Sequence, residues 1–285
     1  MAVLLTLVGI IVTCIICYYI FRYLDEKWRE GRITNIVNRY VLVTGCDSGF
    51  GNAIAKQLDK LGVRVFASCL TEKGEKDIKS AGSSRMITLR LDVTDHEAIS
   101  KAVQFVKKTL PADGVYVTKA FLPLLRKSRG RVVTISSDCG FITWPGRSSY
   151  CISKHGVESF TDAIRREMYH VGIKASTVQP GAFKTSIVSP EGMDAQLKRA
   201  WDKSDEEVKD YYGNGFYQEC KVPSVQDHDI SPVINAVEHA LFSVNPKRRY
   251  LAGKDINGWI HPISLLPVWI LDWYIAMTPP DKAKN

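Results

Sequence analysis

The sequence has few residues of the kinds that hold metals or form disulfides. Its seven cysteines and six histidines are scattered, and neither set has the spacing of a metal site. Cys14 and Cys17 lie within an apolar run, where a thiol pair has no access to redox partners. The chain is therefore expected to be neither a metalloprotein nor a secreted domain held together by disulfides.

No basic helix and no interleaving of basic with aromatic residues occurs, although the formal net charge is +8. Lysines and arginines are mixed with acidic residues along the chain, which argues against a nucleic-acid-binding surface. A face turned toward anionic lipid explains the positive charge better. Because no internal repeat or low-complexity linker interrupts the 285 residues, we expect one domain.

Residues 1–24 are predicted to be a membrane anchor. Val3 to Phe21 is continuously apolar or weakly polar, close to the roughly 20 residues that a helix needs to span hydrocarbon. No basic residue precedes this run and no small-residue cleavage site follows it, which favours an uncleaved single-pass helix over a signal peptide. Residues 25–38 read as a charged stem, and the lysines and arginines after the run place the following domain in the cytosol.

Between residues 39 and 257, short apolar runs alternate with amphipathic stretches. Tyr40-Val-Leu-Val43 is predicted to be a buried strand, and further strands are predicted to begin at Val63, Met86, Arg131 and Lys174. Helices are predicted between them. Such alternation is typical of βαβ units, so we predict a Rossmann-like α/β domain in which helices cover both faces of a doubly wound parallel sheet.

A glycine-rich turn follows the first predicted strand. Gly45, Gly49 and Gly51 lie in Thr44-Gly-Cys-Asp-Ser-Gly-Phe-Gly51, where the strand turns into a helix. This spacing lets the backbone approach a pyrophosphate group that the helix N-terminus stabilises. Similar turns also serve helix packing alone. The turn indicates a dinucleotide site only because it lies ahead of the residues described next.

Tyr150 and Lys154 are spaced to transfer a proton. Tyrosine has a pKa of about 10 and is a poor acid or base near neutral pH. On a helix, positions i and i+4 share a face, so the Lys154 ammonium is expected to lie beneath the phenol and to lower its pKa by roughly 1–3 units. Ser137 follows an apolar run upstream. The three residues predict the general acid or base of a dehydrogenase.

These motifs resemble the short-chain dehydrogenase/reductase family over nearly all of the chain after the anchor. The match includes the glycine turn, Leu91-Asp92-Val93, Ser137 thirteen residues before Tyr150, and Pro180-Gly181 with Thr185 behind it. The resemblance implies that Ser137 holds the substrate oxygen, Tyr150 transfers the proton and Lys154 binds the nicotinamide ribose.

The resemblance also implies a dinucleotide site. Asp92 and Val93 would border the adenine, and Thr185 would touch the carboxamide. The full set of implied cofactor-binding positions is Thr44, Gly45, Ser48, Gly49, Phe50, Gly51, Asp92, Val93, Tyr150, Lys154, Pro180, Gly181 and Thr185. NAD is preferred over NADP because Asp47-Ser48 and Ser68-Cys69 stand where a 2′-phosphate would require Arg or Lys.

Within the family, two branches share features with this chain. Gly45 to Gly51, Phe121-Leu-Pro-Leu-Leu and Gly130-Arg-Val-Val are similar to the membrane-bound retinol and hydroxysteroid dehydrogenases. Arg147 to Lys154 is similar to the mitochondrial 3-hydroxybutyrate dehydrogenases. The expected substrate is a retinoid or steroid alcohol at the endoplasmic reticulum membrane, with 3-hydroxybutyrate and a mitochondrial membrane as alternatives. A homo-oligomer is left open.

One family element is missing between Lys108 and Phe121. There the family carries a strand ending in Asn-Asn-Ala-Gly and a helix with a catalytic Asn, whereas this chain has only ten residues, Thr109 to Thr118. Loss of a strand beside the first one would leave buried backbone groups unpaired at about 1–3 kcal/mol each. Three explanations compete: a splice variant or mispredicted form of an active enzyme, an inactive homologue, or a fold in which Val115 to Thr118 closes the gap.

The last stretch, residues 258–285, is rich in Trp, Leu, Ile and Pro. Pro262, Pro267 and Asp272 argue against a second membrane span. Two interpretations are kept: a helical cover on the domain or the membrane surface, and an apolar mouth for a lipophilic substrate. Trp144, between Ser137 and Tyr150, is a candidate for the substrate pocket.

Overall fold

The computed structural model describes residues 2–109, 118–145, 147–183, 198–199, 201–212 and 229–277. The strands are β1 (Tyr40–Val43), β2 (Arg64–Cys69), β3 (Met86–Arg90), β4 (Arg131–Ile135), β5 (Lys174–Pro180) and β6 (Arg249–Ala252). The helices are α1 (Ala2–Arg29), α2 (Gly49–Lys60), α3 (Glu72–Ala81), α4 (His96–Thr109), α5 (Thr118–Ser128), α6 (Ser148–Glu167), α7 (Glu206–Tyr212), α8 (Ser231–Phe242), α9 (His261–Ser264) and α10 (Val268–Met277).

The six strands form two parallel sheets of three, in the orders β1-β2-β3 and β4-β5-β6. In the first sheet Val41 is opposite Val65, and Val65 is opposite Met86. In the second, Val133 is opposite Ser176 and Thr177 is opposite Arg249. The predicted parallel α/β architecture is confirmed. The prediction of a single sheet was wrong, because within the described ranges no strand pairs with the free edges of β1 and β4.

Helices cover both faces, and each helical layer packs on both sheets. On one side, α2, α3 and α8 bury Leu58, Ile78 and Val237 against Val65 of β2 and Val178 of β5. On the other side, α4, α5 and α6 bury Val106, Leu125 and Ile164 against Phe66 of β2 and Ala175 of β5. The two sheets therefore share both hydrophobic clusters, one on each face, and belong to one domain.

The sequence explains why β2 and β5 lie at the centre of their sheets. Every residue of β2 after Arg64 is buried, and every residue of β5 after Lys174 is buried. A strand that is covered on both faces cannot alternate polar with apolar residues, so it reads as a near-continuous small and apolar run. Thr71 caps the N-terminus of α3, because its hydroxyl accepts a hydrogen bond from the Gly74 amide at 3.0 Å.

Helix α1 runs through the predicted boundary between anchor and stem and ends at Arg29. Its end is fixed to the domain, because Arg29 Nη1 donates to the carbonyls of Asn245 and Pro246, both at 3.0 Å. Ile33 N donates to Phe242 O at 2.8 Å. Over the part of the chain that the structure describes, no helix meets the length and apolarity required to cross a membrane. The predicted span over residues 3–21 is not confirmed.

Candidate active site

The side chains predicted to carry the chemistry meet at the carboxyl end of β4. Ser137 follows this strand and is buried. Its hydroxyl donates to Asp138 Oδ1 at 2.5 Å, and Trp144 Nε1 donates to Asp138 Oδ2 at 2.9 Å. Asp138 therefore orients Ser137 and Trp144, the two residues predicted to contact the substrate. Sequence reasoning missed this carboxylate, although its position directly after Ser137 was a usable signal.

Helix α6 presents Tyr150, Lys154 and Glu158 at intervals of four residues, so they share one face. Tyr150 is 45% exposed. Lys154 Nζ lies 5.5 Å from the centroid of the Tyr150 ring. The same nitrogen donates to the backbone carbonyl of Ile135 at 3.1 Å. The structure thus brings Ser137, Tyr150 and Lys154 together as predicted.

The electrostatics of the pair differ from the expectation. Burial raises the pKa of Tyr150 above its usual value, and a hydrogen bond with Ser137 only partly opposes this rise. Burial also lowers the pKa of Lys154, and the negative charge of Glu158 only partly offsets this lowering. The prediction of a lowered Tyr150 pKa was wrong for this structure, because burial dominates and the Lys154 ammonium donates to the Ile135 carbonyl.

A partly buried ion network lies one helical turn below Lys154. Glu158 Oε1 accepts from Gln179 Nε2 at 3.0 Å, and its Oε2 accepts from Arg249 Nε at 3.2 Å. Arg249 Nη2 also donates to Asp162 Oδ2 at 2.9 Å. These bonds join α6 to β5 and β6. Sequence reasoning missed Glu158, although its spacing of four residues after Lys154 pointed to the same helix face.

The glycine turn has the geometry that its sequence predicts. Gly45 and Gly49 have φ angles of 70° and 62°, in the left-handed region that favours glycine. A Cβ on Gly51 would overlap the Gly45 carbonyl oxygen, so α2 approaches the end of β1 more closely than any other residue would allow. A Cβ on Gly45 would meet nothing within 4 Å, which leaves open space above the turn.

The other residues of the turn have different surroundings. Ser48 is exposed and precedes the first residue of α2. Thr44 and Phe50 are partly buried, and the Phe50 ring meets the Phe183 ring edge to face at 5.8 Å. Asn52 Nδ2 donates to the Cys46 carbonyl at 2.9 Å and closes the turn from the helix side.

Asp92 and Val93 follow β3 at the same edge of the first sheet. Asp92 Oδ1 accepts from the Thr94 amide at 2.8 Å and from its hydroxyl at 2.7 Å, so this carboxylate organises its own loop. Those bonds hold the pKa of Asp92 below its usual value. Val93 is 59% exposed and free to contact a planar ring.

Pro180 ends β5 and Gly181 follows it. Gly181 N donates to Ala252 O at 2.9 Å, and a Cβ on Gly181 would overlap the Asp255 carboxylate. Asp255 Oδ2 accepts from Ala182 N at 2.8 Å, so it fixes the backbone after Gly181. Sequence reasoning missed Asp255, because nothing in its local pattern links it to this turn. Thr185 lies outside the described residues.

The C-terminal segment covers one side of the site. Trp144 meets Trp259 at 6.2 Å between ring centroids, and Trp259 meets Tyr274 at 5.6 Å. Ile256 and Ile260 are buried with Ile142 in a third apolar cluster. The loop after Ser137 and the tail therefore form one apolar wall beside Tyr150.

The residues present fit a dinucleotide at the carboxyl edges of both sheets. The strand ends and the open glycine turn lie where doubly wound folds bind such ligands. Two buried hydroxyls, Ser68 Oγ at the end of β2 and Ser136 Oγ after β4, have no hydrogen-bond partner within the described ranges. No cluster of His, Cys, Asp or Glu suited to a metal ion occurs among the residues that the structure covers.

Comparison with known sequences agrees with this geometry. The sequence profile described as short chain dehydrogenase matches residues 39–115 and 112–196. Human retinol dehydrogenase 16 is 36% identical over 304 residues, covering 92% of this chain and 96% of its own length. Human 17-beta-hydroxysteroid dehydrogenase type 6 is 34% identical over 304 residues, with the same two coverages.

These alignments also locate a difference in length. The alignment to human retinol dehydrogenase 16 has 304 positions, whereas 92% of the 285 residues here is about 262, so about 40 positions of that relative have no counterpart in this chain. The profile matches in two stretches that meet at residues 112–115. That point lies between the first sheet and the second.

A solved structure supports the fold. A short-chain dehydrogenase from Streptomyces avermitilis aligns with a TM-score of 0.62 at 22% identity, covering 86% of this chain and 99% of that one. The family fold binds a nicotinamide cofactor, and the relatives named above are dehydrogenases, so the predicted oxidoreductase class is confirmed. By profile, sequence identity and architecture, this chain is a member of the short-chain dehydrogenase family.

Proposed function

We propose that the protein oxidises or forms the hydroxyl group of a lipophilic alcohol, a retinoid or a hydroxysteroid, with NAD as its cofactor. The observation that carries the proposal is the convergence of Ser137, Tyr150 and Lys154 beside the apolar wall of Trp144 and Trp259. The names of its relatives, retinol dehydrogenase and 17-beta-hydroxysteroid dehydrogenase, supply the substrate class.

The chain's own residues divide the work of proton transfer. Tyr150 is partly exposed, and its phenolate accepts the hydroxyl proton of the alcohol and becomes the phenol, which returns that proton to the carbonyl oxygen in the reverse direction. Ser137 orients the substrate oxygen, and Asp138 in turn fixes the Ser137 hydroxyl. Lys154, on the same face of α6, would donate a hydrogen bond to the ribose. A nicotinamide cofactor bound here would supply the hydride acceptor for the carbinol carbon.

The same proposal assigns the dinucleotide to the carboxyl edges of the two sheets. Gly45, Gly49 and Gly51 would hold the pyrophosphate at the N-terminus of α2. Asp92 and Val93 would flank the adenine, and the backbone at Pro180 and Gly181, held by Asp255, would lie beside the nicotinamide. Thr185 is proposed on resemblance alone.

We also propose that the protein works at a membrane of the endoplasmic reticulum, attached through α1. Ile16, Ile20, Phe21 and Leu24 of this helix are each more than half exposed. A lipid surface would cover them, and it would also hold the substrate.

A second candidate is a homologue that has lost cofactor binding, either as a splice variant or as an inactive gene product. The split between β1 and β4 favours it, since the family's missing strand would lie at that edge and form part of the cofactor floor. The family profile matches the chain in two stretches, which also favours this second candidate.

Two measurements on the purified, detergent-solubilised chain separate the candidates. NAD titration should quench tryptophan fluorescence and raise the melting temperature if the dinucleotide binds. NADH formation should then be followed with retinol, androstanediol and 3-hydroxybutyrate. Turnover of the first or second substrate supports the leading proposal, turnover of the third alone replaces it with the hydroxybutyrate alternative, and absence of NAD binding supports the inactive homologue.

A further inference from the structure

Asp47 is the acidic side chain of the glycine turn, and it is bound by the loop that follows β2. Its Oδ1 accepts from the Thr71 amide at 2.9 Å and from the Thr71 hydroxyl at 2.6 Å. Its Oδ2 accepts from the Leu70 amide at 2.8 Å. Burial opposes the charge, but these hydrogen bonds hold the pKa of Asp47 below its usual value. The group is therefore an anion at neutral pH.

The position of this carboxylate is fixed by the start of α3. Thr71 caps that helix, and a Cβ on Gly74 in its first turn would overlap Asp47 Oδ1. The backbone of α3 thus approaches the carboxylate as closely as a glycine permits. Two amide donors and one hydroxyl at the end of the second strand are already occupied by an anion that belongs to the protein.

In doubly wound folds the end of the second strand is where the adenosine ribose binds, and selection between NAD and NADP is made there. A 2′-phosphate needs donors and positive charge at this point. Arg90, the last residue of β3, donates to Leu70 O at 3.1 Å and lies 3.7 Å from Glu75 Oε2, so its charge is shared with an acid.

We propose that Asp47 is the residue that selects against a 2′-phosphate, by occupying the Leu70 and Thr71 donors with its own carboxylate and repelling a second anion. The inference rests on the proposed use of a nicotinamide dinucleotide and adds a residue to it. An internal anion, bound by the Leu70 and Thr71 amides, takes the place of the phosphate.

The test measures binding of the adenosine half alone, so it does not depend on catalysis. ADP-ribose and 2′-phospho-ADP-ribose are titrated calorimetrically into the wild type, Asp47→Asn and Asp47→Ser. Glu72→Gln is the matched control, because it removes a nearby surface charge that makes its ion pair with Lys76 and not with the loop amides. Asp47→Asn keeps the side-chain size if Asp47→Ser folds poorly.

We expect the wild type and Glu72→Gln to bind ADP-ribose more tightly by about tenfold or more, and the Asp47 variants to shift the ratio toward the 2′-phosphorylated ligand by about tenfold or more. An unchanged ratio in both Asp47 variants, with ADP-ribose still bound, would overturn this assignment and leave the proposed function standing. Failure of the wild type to bind either ligand would overturn both.

Discussion

The Lys154 ammonium donates a hydrogen bond to the Ile135 carbonyl over 3.1 Å, at the free edge of the second sheet. The next amide, Ser136 N, donates to Val178 O at 2.7 Å, so it points toward β5. Because the two ends of a trans peptide point in opposite directions, the Ile135 carbonyl faces away from β5. Lys154 therefore satisfies a backbone group on the side where β4 has no partner strand within the described ranges.

This contact predicts how Tyr150 titrates in the cofactor-free protein. With the ammonium directed at a carbonyl and with burial raising the pKa of Tyr150, the phenol should ionise above the usual tyrosine value of about 10. The measurement is the ultraviolet difference titration of wild type against Tyr150→Phe. A difference signal that titrates below about pH 9 would contradict the placement of Lys154.

Inserting the strand that the family carries between Lys108 and Phe121 should join the two sheets. If the segment was lost by splicing, transcripts sequenced across the codons for Lys108 to Phe121 should include a form with about 30–35 more residues, the length of a βα unit. A protein that carries this insert should melt at a higher temperature and bind NAD more tightly than the chain described here. Equal melting temperatures and equal NAD affinities would show that the gap between β1 and β4 lowers neither stability nor NAD binding.

The close approach at the glycine turn predicts a strong effect of one methyl group. Gly51→Ala places a Cβ against the Gly45 carbonyl and should destabilise the fold by about 1–3 kcal/mol or more, with loss of NAD binding. Gly156→Ala in α6 is the matched control, since its Cβ would meet nothing within 4 Å and should stabilise the helix by about 0.5–1 kcal/mol. Urea denaturation checks both, and similar midpoints for the two variants would refute the packing argument.

The hydrogen bonds of Glu158 beneath Lys154 predict a loss of stability. Glu158→Ala leaves the buried Gln179 amide without its acceptor, while the half-exposed Arg249 keeps its bond to Asp162, so the change should cost about 1–3 kcal/mol in the free energy of unfolding. The exposed pair Glu97 and Lys101 gives the control, because Glu97→Ala should change stability by less than about 0.5 kcal/mol. Chemical denaturation compares them, and a Glu158 effect no larger than the control would mean that the network is not structural.

Local patterns predicted most of the elements that surround the site. The buried run of β1, the glycine turn and the spacing of Tyr150 and Lys154 are set by neighbours in sequence, so they were accessible before the fold. The direction of the Lys154 ammonium depends on the free edge of β4, where Ile135 lies 19 residues before it in sequence. Helix periodicity does not encode this contact. Asp255 beside Gly181 and Arg249 beside Glu158 are likewise contacts across more than 70 residues.

The most direct test of the account is NADH formation from NAD and a lipophilic alcohol by the solubilised chain, compared with Tyr150→Phe. Removal of the phenol oxygen takes away the proton acceptor, a contribution of about 10²–10⁴ in rate. The account predicts turnover of retinol or androstanediol by the wild type and a loss of that size in Tyr150→Phe, with NAD still bound. Turnover that survives Tyr150→Phe unchanged would contradict the assignment of Tyr150, and a wild type that binds NAD yet oxidises neither alcohol would contradict the proposed activity.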